Sequence, residues 1–357
     1  MDPNPIDSPP QSLRERLWKR WFPPVAVLGG IATLVVASTR KRPEPTRGAD
    51  AAPATGGRTT LAVAEVPVAP APAPGSLALD YRPVGTIGGA PAFQRSLLDV
   101  TVGADDRVYA LGDGEVRVFD AKGAALAQWP VTEPADCLTV AADGRVFVAG
   151  GGRVEIFDAR GTRIGGFVVA DGTAPANITA LRVVGTEVLA ADAGSRIIWR
   201  LDAAGRVLNR IGDQNKTKAF ILPNGRLDLG VDASGTVLAT DTGRHRVTSW
   251  ALDGTPVGAF GKFGMADPAD FVGCCNPVNL ALTPDGKVVT GEKMVPRVKV
   301  FERDGRLIGY IGPEHFDRMV TQIHLAVDAR GRILAGDPVR RTITVFAPSA
   351  GKGRGDV

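Results

Sequence analysis

Cysteine is almost absent from this chain. There are three in 357 residues, and two of them are neighbours in "GCCNP", Gly273 to Pro277. Three thiols cannot staple a small secreted scaffold, and no pair has Cys-x-x-Cys spacing of the kind that holds structural zinc. Histidine is as scarce, at His245, His315 and His324. No nucleophile elbow and no phosphate-binding loop is present, so the common hydrolase and nucleotide-binding signatures are missing. Aromatic residues make up only 6%. Net charge is also small, at +4. Nine Lys/Arg against six Asp/Glu lie in residues 1–79, which leaves 33 basic and 32 acidic residues for the remainder. A neutral main domain argues against nucleic acid as a partner, because phosphate binding needs a concentrated basic surface.

What is abundant is glycine, with 44, and proline, with 27, against a hydrophobic content of 44%. Both are spread between short apolar runs. That combination reads as a globular chain with many turns.

One long hydrophobic run stands apart. Phe22 to Ser38 carries no charge and is flanked by Arg14, Arg16, Lys19 and Arg20 before it and Arg40, Lys41 and Arg42 after it. Trp18 and Trp21 fall where an interfacial aromatic belt would lie. As a helix the run spans about 25 Å, at the short end for a bilayer. The reading is an uncleaved signal anchor over 22–38 behind a cytoplasmic segment 1–21. A cleaved signal peptide ending near Ala37 is the alternative, disfavoured by the basic cluster that follows directly. Residues 39–79 are rich in Ala and Pro and end "VPVAPAPAPGS", which reads as a disordered, semi-rigid tether. The expectation is a propeller on the extracytoplasmic, periplasmic side.

From there the chain repeats. "LTVAADGRVFVAGGGRVEIFDARG" (138–161), "LGVDASGTVLATDTGRHRVTSWALDG" (229–254) and "LALTPDGKVVTGEKMVPRVKVFERDG" (280–305) share one plan of apolar run, Asp/Gly turn and alternating run. Taking Arg107, Arg145, Glu187, Thr236, Lys287 and Arg332 as markers, the spacing is 38 to 51 residues. Period-2 alternation makes these strands, and about four strands per 40–50 residues is the signature of a propeller blade. Fourth strands follow at 206–212, 255–261 and 306–312. The last copy lacks one, but "RPVGTIG" (82–88) precedes the first copy unpaired. The economical solution is that this strand completes the last blade and closes the ring, leaving no open edge. The predicted fold class is all-β, a six-bladed β-propeller over 80–350, preceded by one transmembrane helix and the linker and followed by a tail, 351–357.

The details resemble the NHL-repeat propellers, in particular bacterial membrane-anchored ones, over about residues 80–348. "DTGRHRV" sets Asp241 five residues before Arg246, and "GEKMVPRV" sets Glu292 five before Arg297. Asp192 to Arg196 and Asp337 to Arg341 are one residue shorter, and the first two copies lack the motif. The resemblance implies that this acid and base tie neighbouring strands together. It also implies a test of enzymatic kinship, because the peptide-amidating lyase among NHL relatives needs three zinc-binding histidines. Here His245 lies inside the strand-tying motif and His315 in a polar turn.

Each innermost strand is expected to open on a polar residue at the channel mouth: Asp99, Cys137, Thr179, Asp228, Asn279 and His324. Asp99, Asp228, Asn279 and His324 would offer mainly oxygen ligands with one nitrogen, which suits a divalent metal ion such as calcium or manganese. Cys274 and Cys275 lie on the loop entering the fifth blade, with Asn276 beside them. Cys137 belongs to a blade across the ring, too far for a disulfide to either. Packing of two small residues, a vicinal disulfide, and a metal or cofactor role all stay open for the pair. The functional expectation is a membrane-tethered module binding a protein or small-molecule ligand through the face carrying Cys274 to Asn279, with enzymatic activity left open. The alternatives are a metal-dependent lyase or hydrolase using the polar ring, and a redox-associated component using the cysteine pair.

Overall fold

The computed structural model describes residues 79–132, 134–170, 176–213 and 219–349. The expected cytoplasmic segment, anchor and tail, and all of the linker but Leu79, lie outside them. Among the described residues no helix is long and apolar enough to cross a membrane.

The described chain is built of strands. The first set of four is β2 (Asp99–Val102), β3 (Val108–Gly112), β4 (Glu115–Phe119) and β5 (Ala125–Pro130). The second is β6 (Cys137–Val140), β7 (Val146–Gly150), β8 (Arg153–Phe157) and β9 (Arg163–Val168). The third is β10 (Ile178–Val184), β11 (Glu187–Asp192), β12 (Ile197–Leu201) and β13 (Val207–Ile211). The fourth is β14 (Leu229–Val231), β15 (Val237–Asp241), β16 (Arg246–Trp250) and β17 (Pro256–Phe260). Each of these forms a separate antiparallel sheet in sequence order. The fifth set, β18 (Asn279–Leu282), β19 (Val288–Glu292), β20 (Arg297–Phe301) and β21 (Leu307–Ile311), follows the same plan. The last three strands are β22 (His324–Val327), β23 (Ile333–Asp337) and β24 (Thr342–Pro348).

The missing fourth partner of β24 comes from the other end of the chain. The strand β1 (Leu79–Ile87) lies antiparallel to β24, from Tyr81 opposite Pro348 to Ile87 opposite Ile343. Its first residues also pair in parallel with β21, Leu79 with Gly309 and Asp80 with Tyr310, which fuses the last two sets into one eight-stranded sheet. Gly309 admits this approach. A methyl there would come within 3.0 Å of the Tyr81 ring and 3.3 Å of Leu79.

The innermost strands touch in a closed cycle. β2 packs on β6, β6 on β10, β10 on β14, β14 on β18, β18 on β22, and β22 back on β2. The core is distributed accordingly. One apolar cluster joins the first set to the second, another the second to the third, and so on around to a cluster of Ile87, Phe93 and Leu97 with Leu334 and Ile343 that joins the sixth set to the first. Second strands such as β3, β7 and β15 are buried at every residue, because both faces meet a neighbouring sheet. The outer strands β5, β9 and β17 are largely exposed.

Turn chemistry links the sets. Asp158 Oδ1 accepts the amides of Arg160 and Thr162, and Asp202 Oδ1 those of Ala204 and Arg206. Gly161 and Gly205 close these turns at positive φ, 84° and 80°. Any side chain there would run into Trp129 or Phe167 on the outer strand of the preceding set. The glycine thus serves both the turn and the seam.

Candidate functional site

The six polar residues expected at the channel mouth are where the repeat puts them, at or beside the start of the innermost strands. Their bonds run sideways, from set to set. Asp99 accepts the amide of Leu138 in the second set at 2.9 Å and its neighbour Val100 at 2.8 Å. Thr179 donates to the Leu227 carbonyl ahead of the fourth set at 2.8 Å and accepts the Leu227 amide at 3.1 Å. Asp228 accepts the amide of Leu280 at 2.9 Å and the side-chain amide of Asn279 at 3.3 Å, both in the fifth set. Asn279 in turn accepts the amide of Ile323, which leads into the sixth, at 3.2 Å. His324 Nδ1 stands 3.7 Å from Asp99 Oδ1 and closes the circuit. Cys137 is the exception: its Sγ lies 3.9 Å from the Ala149 carbonyl within its own sheet. Five of the six therefore reach from one innermost strand toward the next.

Burial controls their protonation. It pushes the Asp99 carboxyl up to about 7, reinforced by the charge of Asp228 and opposed by the Leu138 amide and by Arg182. Burial holds His324 down at about 3, with the charge of Arg226 acting in the same sense. A neutral His324 beside Asp99 is not an ion pair at neutral pH. Burial also raises the Cys137 thiol well above its ordinary range.

Within the expected metal set, His324 lies 3.7 Å from Asp99 and Asn279 3.3 Å from Asp228. Among the described residues no three His, Cys, Asp or Glu side chains come together in a metal-holding cluster. Both carboxylates already accept backbone amides on both oxygens.

One channel residue escapes the repeat. A register shift between Ile178 and Ala180 in β10 brings Leu181 opposite Ala190 and Arg182 opposite Leu189. Arg182 then stands at the inward position that holds Thr101, Thr139, Gly230, Ala281 and Ala326 in the other sets, all lining one cavity of about 230 Å³. Its guanidinium donates to the Leu181 carbonyl and lies 3.9 Å from Asp228 Oδ1. The readable signal was a row of small residues interrupted by one arginine.

The strand-tying acids do a wider job than the resemblance implied. Asp241 accepts the amide of Ile221 at 2.9 Å, Asp192 that of Asn177 at 2.9 Å, Glu292 that of Val272 at 3.1 Å and Asp337 that of Asp317 at 2.7 Å. Each pins the loop that enters its own set. Arg246 and Arg297 sit directly across the hairpin from Asp241 and Glu292 and bind them. Arg196 and Arg341 do not, among the described contacts. The shorter interval places them at the hairpin corner, at φ 58° and 56°, and not across the hairpin from the acid. Trp199 Nε1 binds Asp192 instead, at 3.1 Å. The first set also has such an acid, contrary to expectation: Asp113 accepts the amides of Gln94, Arg95 and Ser96.

The cysteine loop is pinned on both sides. His245 Nε2 bonds the Gly273 carbonyl at 2.9 Å. Asn276, fully buried, donates to the carbonyls of Val272 and Lys293 and accepts the Lys293 amide at 3.0 Å. Between them Cys275 has φ 66°, and the two Sγ atoms lie 2.7 Å apart, inside van der Waals contact. Cys274 is exposed and Cys275 is buried. Burial, then the contact with Cys274, pushes the Cys275 thiol up to about 11.

The sequence matches no protein-family model, and no curated protein matches it. Solved structures do match. The WD40 β-propeller domain of Doa1 superposes with a TM-score of 0.52 at 13% identity, over 76% of this chain and 98% of that one. A streptogramin B lyase gives 0.51 at 12%, over 75% and 98%. The chain is a β-propeller. At such identities the likeness is one of fold alone.

A propeller has two ends, and here they differ. Among the described residues, the exposed large apolar side chains off the outer strands are Ile221, Phe263, Met294, Met319 and Val339. All five lie on entry loops or hairpin corners at the end where innermost strands begin, in the fourth to sixth sets. Phe263 packs edge-on against His245, and Gly273 lies against Met294, so these two flank the cysteine loop. The turns at the other end carry the Asp caps and their Lys/Arg neighbours.

Proposed function

We propose that the chain is a membrane-tethered, extracytoplasmic, six-bladed propeller of the NHL type that works as a protein-binding module, through the entry-loop end of its fourth to sixth blades. Six four-strand sets and six apolar seams in one cycle support the blade count. The acid–base pairs Asp241–Arg246 and Glu292–Arg297 support the NHL likeness, and the uncharged run Phe22 to Ser38 supports the tether. The observation that carries the binding role is the one-sided distribution of exposed apolar side chains. Met294 is 67% exposed, Met319 69% and Phe263 56%. Contiguous exposed apolar surface rimmed by polar groups marks interaction sites, and Met is favoured where a surface must adapt. A metal-dependent lyase reading draws less support, because the carboxylates of the channel ring are spent on holding blades together.

Site-directed photo-cross-linking tests this. A photoreactive phenylalanine analogue at Met294 or Met319 is expected to give discrete protein adducts in intact cells. The same analogue at Lys122 or Arg160, on the opposite end, is expected to give none. Equal labelling from both ends, or none from either, overturns the reading.

A further inference from the structure

The cysteine pair is not needed to build the propeller, since five blades manage without it. Its local geometry is nonetheless costly. Neighbouring side chains on extended backbone point to opposite sides. Here Cys275 takes a left-handed conformation, φ 66°, which a non-glycine residue seldom adopts. The result is two sulfurs 2.7 Å apart, one facing solvent and one buried. His245 and Asn276 hold the loop on either side of them. Packing of two small residues explains a buried Cys275, but it does not explain an exposed thiol held against it.

We propose that Cys274 and Cys275 form a thiol–disulfide exchange site whose co-substrate is a low-molecular-weight disulfide. The Cys274 thiol loses its proton to water, and the thiolate attacks one sulfur of the small disulfide. A mixed disulfide forms on Cys274 and one small thiolate leaves. Cys275 then attacks Cys274 Sγ, its proton passing through water to the second small thiolate as that thiolate leaves. Two protein thiols are oxidised by two electrons and one small disulfide is reduced to two thiols. The exposed sulfur is the attacking one because only it can be reached. The buried one resolves because it already touches its partner. Burial and the contact with Cys274 hold the Cys275 thiol protonated, with Lys293 only partly opposing them, so Cys275 reacts second, by proton transfer as it attacks. A bond between adjacent residues spans a Cα separation of about 3.8 Å, shorter than ordinary disulfides use, so it returns readily to the dithiol. This inference is independent of the docking face.

The test uses the full chain and glutathione disulfide as the probe, with acid quenching and mass analysis of the peptide that holds both cysteines. Wild type is expected to lose two hydrogens and keep no glutathione, and a reductant is expected to restore it. Cys275→Ser is expected to trap glutathione on Cys274. In Cys274→Ser, modification of Cys275 is expected to be at least about tenfold slower, as its burial requires. Cys275→Ala, with a circular dichroism spectrum matching wild type, guards against a folding artefact. A wild-type peptide that stays reduced, a stable glutathione adduct on wild type, or equal rates at the two single cysteines overturns the proposal.

Discussion

Glu292→Ala is expected to cost about 3–5 kcal/mol of stability, among the largest effects of any single substitution in the chain. Glu292, Arg297 and Lys299 are 1%, 2% and 0% exposed. Glu292 Oε1 takes Arg297 Nε at 2.9 Å and Lys299 Nζ at 2.8 Å, while Oε2 takes Arg297 Nη2 at 3.0 Å and the Val272 amide. Lys299 also donates to the Asp270 carbonyl at 2.6 Å and lies over the Phe271 ring. Burial lowers its ammonium to about 8 even with Glu292 pulling the other way. Removing the carboxylate leaves two buried cations facing each other and frees the loop that carries the cysteines. Lys299→Met is expected to cost far less, within about 2 kcal/mol, because Arg297 still satisfies Glu292 and the methionine fills the space. Chemical unfolding of the two variants beside wild type reads the difference. A Glu292→Ala loss below about 1 kcal/mol would show that the network is not holding the fifth blade.

Deleting Leu79–Ile87 is expected to abolish cooperative folding altogether. The segment supplies the outermost partner of β24, and with it Tyr81 and Ile87, 6% and 2% exposed, to two different seams. Each such side chain contributes about 1.5–3 kcal/mol, and the ladder to β24 is lost as well. Against a total of about 5–15 kcal/mol for a folded domain, little would remain. The deletion also bares β24 as a long open edge, which invites aggregation. A peptide of sequence LDYRPVGTI added in trans is expected to recover soluble, folded protein by strand addition. A deleted chain that melts like wild type would mean β1 is an ornament.

Much of this architecture is legible in the sequence, for a physical reason. Asp/Gly turns and period-2 alternation are local signals, and each copy repeats them. The closing strand is legible by elimination, since "RPVGTIG" matches the fourth strands and has no other sheet to join. The roles of the ring residues are not legible in the same way. Asp99 and Asp228 read as open ligands until the neighbouring amides, Leu138 and Leu280, are placed against them. Arg182 is hidden by the shift between Ile178 and Ala180, which local alternation does not announce. Arg196 and Arg341 look like motif bases, and one missing residue turns each into a hairpin corner. Lys299 in "RVKVF" reads as an outward residue, because alternation assumes one wet face and this sheet has none. Asp113 is hard to see because no base stands five residues on; Arg117, four residues on, and Arg95, on the entry loop, each lie 3.9 Å from its carboxylate.

The central claim is a closed ring, because the proposed docking face and the seating of the fifth set of strands both depend on it. Disulfide trapping tests it directly. Thr86 and Thr344 lie opposite each other where β1 meets β24. The double variant Thr86→Cys with Thr344→Cys is expected to cross-link nearly completely under mild oxidation, identified by the joined peptide. Thr86→Cys with Thr342→Cys, two residues out of register, is expected to cross-link poorly. Equal cross-linking of the two pairs, or none in the first, would contradict the ring.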